Sequence, residues 1–195
     1  MACTCVQNDV EIEQARQEEG QQIAEDYAER TDPKDSDPPK QDDDFCNSEE
    51  GLDVPFVDDC VLAEIACGDE IIGHTGGGQA NWSNRFYETK YCTPMPQNYK
   101  GKEAVYRFQA PPNSLIAIEL ESPCADLDLF TVQWSGDGCP TLSHNTGDCD
   151  ADAKTGDGTI ELWQDKTPRQ YLIGVDGKRA AEAPFTLSVT CHERE

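Results

Sequence analysis

Residues 115–121, which read LIAIELE, and residues 184–190, which read PFTLSVT, decide the fold class of this chain. In both stretches large apolar residues alternate with polar or small ones, the two-residue period of a β-strand with one buried and one wet face. Similar short runs lie between clusters of Gly, Pro, Asn and Asp, which is typical of an all-β sandwich or barrel. The predicted strands cover residues 69–73, 103–109, 115–121, 127–134, 159–163, 170–176 and 184–190.

The strands are predicted to pair antiparallel. Parallel strands need crossover connections of about a dozen residues or more, usually helical. The sequence shows no amphipathic helix pattern after Cys67. The prediction is therefore an antiparallel β-sandwich over residues 67–195.

The first third of the chain differs from the rest in charge. Residues 1–66 carry 20 acidic and 4 basic side chains, against 19 and 11 in the remainder. Residues 31–44 combine three prolines with heavy negative charge, so they bury too little apolar surface to offset the entropy of ordering. We expect residues 1–45 to form a mostly disordered acidic tether, with at most a short helix capped by Asn8 and Glu11.

Charge and cysteine content restrict the environment and the partners. The net charge of −24 repels phosphate backbones and anionic lipid headgroups, which excludes nucleic acid as an expected partner. Ten cysteines without a C-x-x-C pair favour disulfides over zinc, and hence secretion or display on a bacterial cell surface. Ala2-Cys3 fits the end of a bacterial lipobox, so Cys3 is a candidate lipidation site and the only membrane contact that we expect.

Cysteine spacing does not fix the disulfide pairing. The pairs favoured here are Cys139 with Cys149, and Cys67 with Cys191 at the start and end of the predicted sandwich. Cys46 and Cys60 bracket a small acidic segment, residues 46–66. We expect that segment to be a local disulfide loop lying on the main domain.

Five motifs occur in order along residues 67–195. They are Cys67-Gly68-Asp69 with Thr75-Gly76-Gly77, then EAVYRF at 103–108, ADLDLF at 125–130, YLIGVDG at 171–177 and FTLSVTC at 185–191. Together they resemble the bacterial pre-peptidase C-terminal domain family. The resemblance implies a jelly-roll-like β-sandwich, secretion and a non-catalytic accessory role, and some collagen-binding relatives bind calcium. The chain departs from the family pattern where Ala183-Pro184 enters the last strand.

A cluster of carboxylates is the candidate metal site. Two acids on one strand and four in the following loop supply the oxygen ligands that calcium prefers. The loop is not an EF-hand, because Ala153 stands where that motif needs glycine. The alternative is a solvated acidic turn. The six candidates are Asp126, Asp128, Asp148, Asp150, Asp152 and Asp157.

A long loop between residues 74 and 102 is the candidate ligand-binding surface. Its aromatic side chains lie among amides, a combination found where proteins bind sugars or extended polypeptides. The same rings could instead pack beneath their own loop. The four candidates are Trp82, Tyr87, Tyr91 and Tyr99.

No catalytic motif was found: the sequence contains no nucleophile elbow, phosphate-binding glycine loop or H-E-x-x-H. The favoured function is a non-catalytic extracellular module that recognises a polysaccharide or protein, with the soluble part of a lipoprotein as one form. The alternative is a structural or self-assembling protein of the cell envelope.

Overall fold

The computed structural model describes residues 43–92, 98–153 and 157–194 of the chain. The described residues form two short helices and nine strands. In chain order these are α1 Asp43–Cys46, β1 Ala63–Ile65, β2 Glu70–His74, α2 Asn84–Lys90, β3 Ala104–Ala110, β4 Ser114–Glu121, β5 Leu127–Gln133, β6 Cys149–Asp152, β7 Gly158–Trp163, β8 Arg169–Gly177 and β9 Pro184–Glu193. A 3₁₀ turn, Thr75–Gly77, follows β2.

The strands build two sheets. The five-stranded sheet has the order β1-β3-β8-β5-β6, and the four-stranded sheet has the order β2-β9-β4-β7. Every neighbouring pair is antiparallel except β1 and β3, which run parallel. The predicted antiparallel β-sandwich is thus confirmed, with one parallel pairing that the sequence analysis did not expect.

Alternating apolar side chains form the core between the sheets. All seven predicted strands are present within a few residues of their predicted ends, while the short strands β1 and β6 were missed. Along β4, and along β9 from Phe185 to Val189, every second residue points inward and is buried. The largest fully buried side chains of this core are Phe108, Ile116, Ile118, Leu120, Leu127, Leu129 and Phe185.

Segment 46–66, which the sequence set apart from the sandwich, contributes to it. β1 extends the five-stranded sheet alongside β3, and Val61 and Leu62 just before it are buried. Arg107 of β3 holds the segment by an ion pair with Asp58 at 2.6 Å. The hydrogen bonds from the Gly138 backbone N–H and from Arg107 lower the pKa of Asp58.

Within the described residues, four disulfides join positions that are far apart in sequence. They are Cys46–Cys124, Cys60–Cys139, Cys67–Cys191 and Cys92–Cys149, with Cα separations of 5.4 to 5.8 Å. The favoured pair Cys67–Cys191 is present.

Two pairings favoured from the sequence are wrong. Cys139 bonds to Cys60, not Cys149, because the Asp58 carboxylate accepts the Gly138 N–H at 3.0 Å and brings the two segments together. The predicted local disulfide between Cys46 and Cys60 is also wrong, because Cys46 forms its disulfide with Cys124.

The tether was predicted over residues 1–45; its residues 1–42, with the predicted short helix and the candidate lipidation site Cys3, lie outside the described residues, and residues 43–45 belong to α1. These features stay predictions. Among the helices of the described residues, none has the length and apolar content to cross a membrane.

The backbone conformation of the turn between β8 and β9 predicts how a glycine substitution changes the free energy of unfolding. Arg179 and Ala180 both have positive φ, at 59° and 63°, and the Ala181 N–H donates to the Lys178 carbonyl at 3.2 Å. This is the type I′ geometry that favours glycine, since an L residue in the left-handed region costs about 1 kcal/mol. Ala180→Gly is expected to raise the free energy of unfolding by about that amount, measured by denaturant titration. The control Ala117→Gly, in the middle of β4, should lower it by about 0.5–1 kcal/mol.

Candidate functional site

Three carboxylates lie in one row across the outer face of the five-stranded sheet. Asp128 of β5 is directly opposite Asp176 of β8, and the register of β3 with β8 places Glu103 on the other side of Asp176. All three side chains are buried, with exposed fractions of 1% or less. Since isolated buried carboxylates are costly, their partners decide what this row does.

The partners come from residues 79–92 and 98–102, which cover this face of the sheet and are called the covering segment here. Oε1 of Glu103 accepts the backbone N–H groups of Asn81 and Trp82 at 2.5 and 3.0 Å. The Tyr87 hydroxyl donates to Asp176 at 2.6 Å. The Tyr99 hydroxyl donates to Asp128. The carboxylate row therefore fastens the covering segment to the sheet at three points.

Burial raises the pKa of each carboxyl in the row. The pKa is about 8 for Glu103, about 7 for Asp176 and about 6 for Asp128. Asp128 has the smallest rise because the Tyr99 hydrogen bond and the Lys178 ammonium, 3.2 Å away, favour its charged form. Oε2 of Glu103 has no hydrogen-bond partner among the described residues, which adds to the cost of ionising it.

The four aromatic residues predicted to bind ligand lie inside the protein. Their exposed fractions are 7% or less, and they pack with Phe86 and Phe130 into a second core on the outer face of the five-stranded sheet. The prediction of a ligand-binding face is therefore wrong, and the alternative that the rings pack beneath their own loop is correct. These rings are Trp82, Tyr87, Tyr91 and Tyr99.

The six candidate metal ligands do not converge. Asp126 and Asp128 share one face, as predicted, but the cation beside both is Lys178, with Nζ 3.2 Å from each. Asp148 pairs with Arg169 at 3.0 Å. Each of the other three accepts a backbone N–H at 2.8–3.0 Å: they are Asp150, Asp152 and Asp157.

Among the described residues, no three His, Cys, Asp or Glu side chains lie close enough together to hold a metal ion. Calcium binding stays a prediction from the sequence, which calorimetric titration with calcium would test.

The outer face of the four-stranded sheet, in contrast, is exposed. Across β7, β4 and β9 the register aligns Trp163, Leu115 and His192 in one row. The neighbouring rows carry exposed glutamates, at positions 161, 119, 121 and 70. We call this surface the open sheet face.

Trp163 is the most exposed large apolar side chain of the described residues, with an exposed fraction of 62%. The guanidinium of Arg194 lies over its ring, 5.0 Å from the ring centroid. Beside it, a cleft of about 620 Å³ is lined by Pro111, Pro112 and the Cys67–Cys191 disulfide, among other residues. Tryptophan and arginine are two of the three residue types most enriched in binding hot spots.

The sequence analysis missed Trp163, Glu103 and Asp176 as site residues. For Trp163 a signal existed, because in the alternation of residues 159–163 it shares the wet face with Thr159 and Glu161. For Glu103 and Asp176 no local signal existed, because their burial depends on a segment that folds over the sheet from elsewhere.

Comparison with known proteins gives no family assignment. No family model and no curated protein matches the sequence. Similar solved structures include the pre-peptidase C-terminal domain of a Bacillus anthracis collagenase, at 13% identity over 67% of this chain and 96% of that one, with a TM-score of 0.38.

Two further similar structures each cover 67% of this chain. The Aeromonas hydrophila periplasmic inhibitor of g-type lysozyme, PliG, is 14% identical over 96% of its own length, with a TM-score of 0.38. The copper-binding surface protein CorA of Methylomicrobium album BG8 is 7% identical over 98% of its length, with a TM-score of 0.39. Likeness at this level says nothing about what this chain binds, and membership of the pre-peptidase C-terminal domain family stays a prediction.

The carboxylate row predicts that stability falls as the pH rises. The folded-state pKa values of Glu103, Asp176 and Asp128 lie above the ordinary values near 4, so the folded state binds more protons than the unfolded state between about pH 4 and pH 8. The stabilisation is complete below that window and is lost as the pH passes about 6, 7 and 8. Thermal unfolding followed from pH 5 to pH 9 should show a falling midpoint.

The variant Glu103→Gln tests whether Glu103 contributes to this loss of stability at high pH. The amide oxygen can still accept the Asn81 and Trp82 N–H groups, but no charge forms. We expect the midpoint at pH 9 to rise by about 3 °C or more, the shift for about 1 kcal/mol in a chain of this size. Glu119→Gln, on the open sheet face, is the control and should leave the pH profile unchanged. An unaltered profile in Glu103→Gln would contradict the assignment.

Proposed function

We propose that this chain is a non-catalytic extracellular binding module that recognises a polysaccharide or a protein through the open sheet face. The observation that carries the proposal is the exposure of Trp163 beside Arg194. A ring of this size left in water forgoes the stabilisation of burial, which a bound partner would restore.

The asymmetry of the sandwich supports this choice of surface. The outer face of the five-stranded sheet is filled by the protein's own aromatic residues, so that face has no room for a partner. The open sheet face offers a solvated surface of mostly polar side chains around one exposed aromatic ring, as at many binding interfaces.

Two further observations support the environment and the non-catalytic role. Four disulfides are typical of proteins that fold outside the reducing cytoplasm. The carboxyls whose pKa values are raised toward neutrality, Glu103, Asp128 and Asp176, are enclosed beneath the covering segment. A group that no substrate can reach cannot transfer a proton to it.

The test is binding to arrays of extracellular glycans and matrix proteins. Trp163→Ala is expected to weaken any array ligand by about tenfold or more, because a central tryptophan commonly dominates binding energy. The control Val57→Ala changes another exposed apolar side chain, 59% accessible, in the segment before β1. It should bind like wild type.

Two outcomes would contradict the proposal. One is array binding that is equal in Trp163→Ala and wild type, which would place the site elsewhere. The other is the absence of array ligands together with concentration-dependent oligomers in light scattering, which would favour the structural, self-assembling alternative.

A further inference from the structure

Strand β7 is an edge strand of the four-stranded sheet. It is the last strand in the sheet order and pairs with β4 on one side. The Gln164 N–H donates to Ser114 of β4 at 2.8 Å, whereas the Thr159 N–H turns away and donates to the Asp152 side chain at 3.0 Å. Because N–H directions alternate along a strand, the N–H groups of Glu161 and Trp163 also point away from β4.

Glu161 and Trp163 also present their side chains on the open sheet face. Trp163 offers an exposed ring, and the Arg194 guanidinium already lies over it at 5.0 Å. The ring face thus accepts a planar cation. The cation now on it is the side chain of Arg194, an exposed residue that directly follows β9. If a bound partner placed its own cation on Trp163, the solvent-exposed contact with Arg194 would be replaced by a contact shielded from water.

The charges around this edge are acidic at its Thr159 end and mixed at its Trp163 end. Glu161 is exposed in the row next to Trp163, while exposed Glu119 and the Asp152 side chain of β6 lie at the other end of β7, beside Thr159. Lys166 and Arg194 are the basic groups at the Trp163 end, beside Asp165 in the same cleft. On a chain with a net charge of −24, a cationic segment is the complementary partner.

We propose that β7 is a docking edge for an extended arginine- or lysine-bearing segment of a partner polypeptide. The segment would add to the sheet as a fifth strand and place a cation on Trp163 in place of Arg194. This inference rests on the proposed function and narrows its ligand to a basic polypeptide. A second copy of the chain fits less well, because an antiparallel pairing of two β7 strands centred on Glu161 sets like charges opposite each other.

The probe is a decapeptide in which arginine alternates with threonine, titrated into the full chain by calorimetry. Wild type should bind it, and the peptide with glutamate in place of arginine should not bind. Trp163→Ala and Glu161→Gln are each expected to weaken binding by about fivefold, and added salt should weaken it further. Val57→Ala is the control and should bind normally.

Arg194→Ala separates this proposal from binding of an anionic ligand. Removing the competing guanidinium should tighten binding of the arginine peptide by about two- to fivefold, whereas an anionic ligand would lose affinity. Hydrogen exchange should show protection of the Glu161 and Trp163 amides on binding, which a contact made by side chains alone would not produce.

The proposal is overturned if the arginine peptide fails to bind, if the glutamate peptide binds equally well, or if the β7 amides gain no protection. Should array ligands still depend on Trp163 in that case, the proposed function stands and only the identity of the partner is wrong. If Trp163→Ala changes neither binding to the arrays nor binding of the peptide, the proposed function fails too.

Discussion

The hydrogen bonds from the covering segment to a row of buried carboxylates are the interaction on which the arrangement of this molecule depends. Glu103, Asp176 and Asp128 sit side by side on three strands and receive donors from the Trp82 backbone and from the Tyr87 and Tyr99 hydroxyls. Without these donors the row would be an uncompensated cluster of acids, and without the row the two hydroxyls would be buried unpaired. Each side therefore requires the other.

This mutual requirement makes the two faces of the sandwich unequal. The segment that covers the five-stranded sheet is also tied by Cys92–Cys149 to strand β6, so both covalent and polar contacts hold it in place. Its aromatic rings then fill the space above the sheet. The four-stranded sheet has no such cover within the described residues, and its polar outer face remains available.

The sequence predicts those parts of the structure that depend on local periodicity. The alternation in residues 115–121 gave the strand, its buried face and its wet face, because side chains in a strand alternate regardless of which strand lies beside it. The same reasoning put Trp163 on a wet face, although its importance was not recognised. What could not be predicted depends on register and long-range contact: Tyr99 meets Asp128 across 29 positions, and Cys46 meets Cys124 across 78.

The aromatic loop shows why composition alone misassigned the ligand surface. Rings beside amides suit a sugar-binding face and a second core equally well, and the choice depends on whether a hydrophobic sheet face is available to cover. Val105, Phe130 and Leu172 provide that face, because β5 and β8 are buried on both sides along most of their length and β3 adds Val105 beside them. A strand that is apolar on both sides needs a layer on each, and the loop from residue 79 onward is the segment of this chain that supplies the second layer.

The net charge and the local charges have different effects on any partner of the open sheet face. At physiological ionic strength the screening length is about 8 Å, so of the 39 acidic side chains only those within about that distance contribute strongly to a contact at Trp163. Their combined field still favours the approach of cationic molecules, which affects the rate of association more than the affinity. Selectivity at β7 must come from the groups within a few ångströms, namely the Trp163 ring, the Glu161 carboxylate and the strand's own N–H groups. An acidic surface can attract many basic proteins, but an edge with one ring and one carboxylate on the same face selects those that can extend a segment along it.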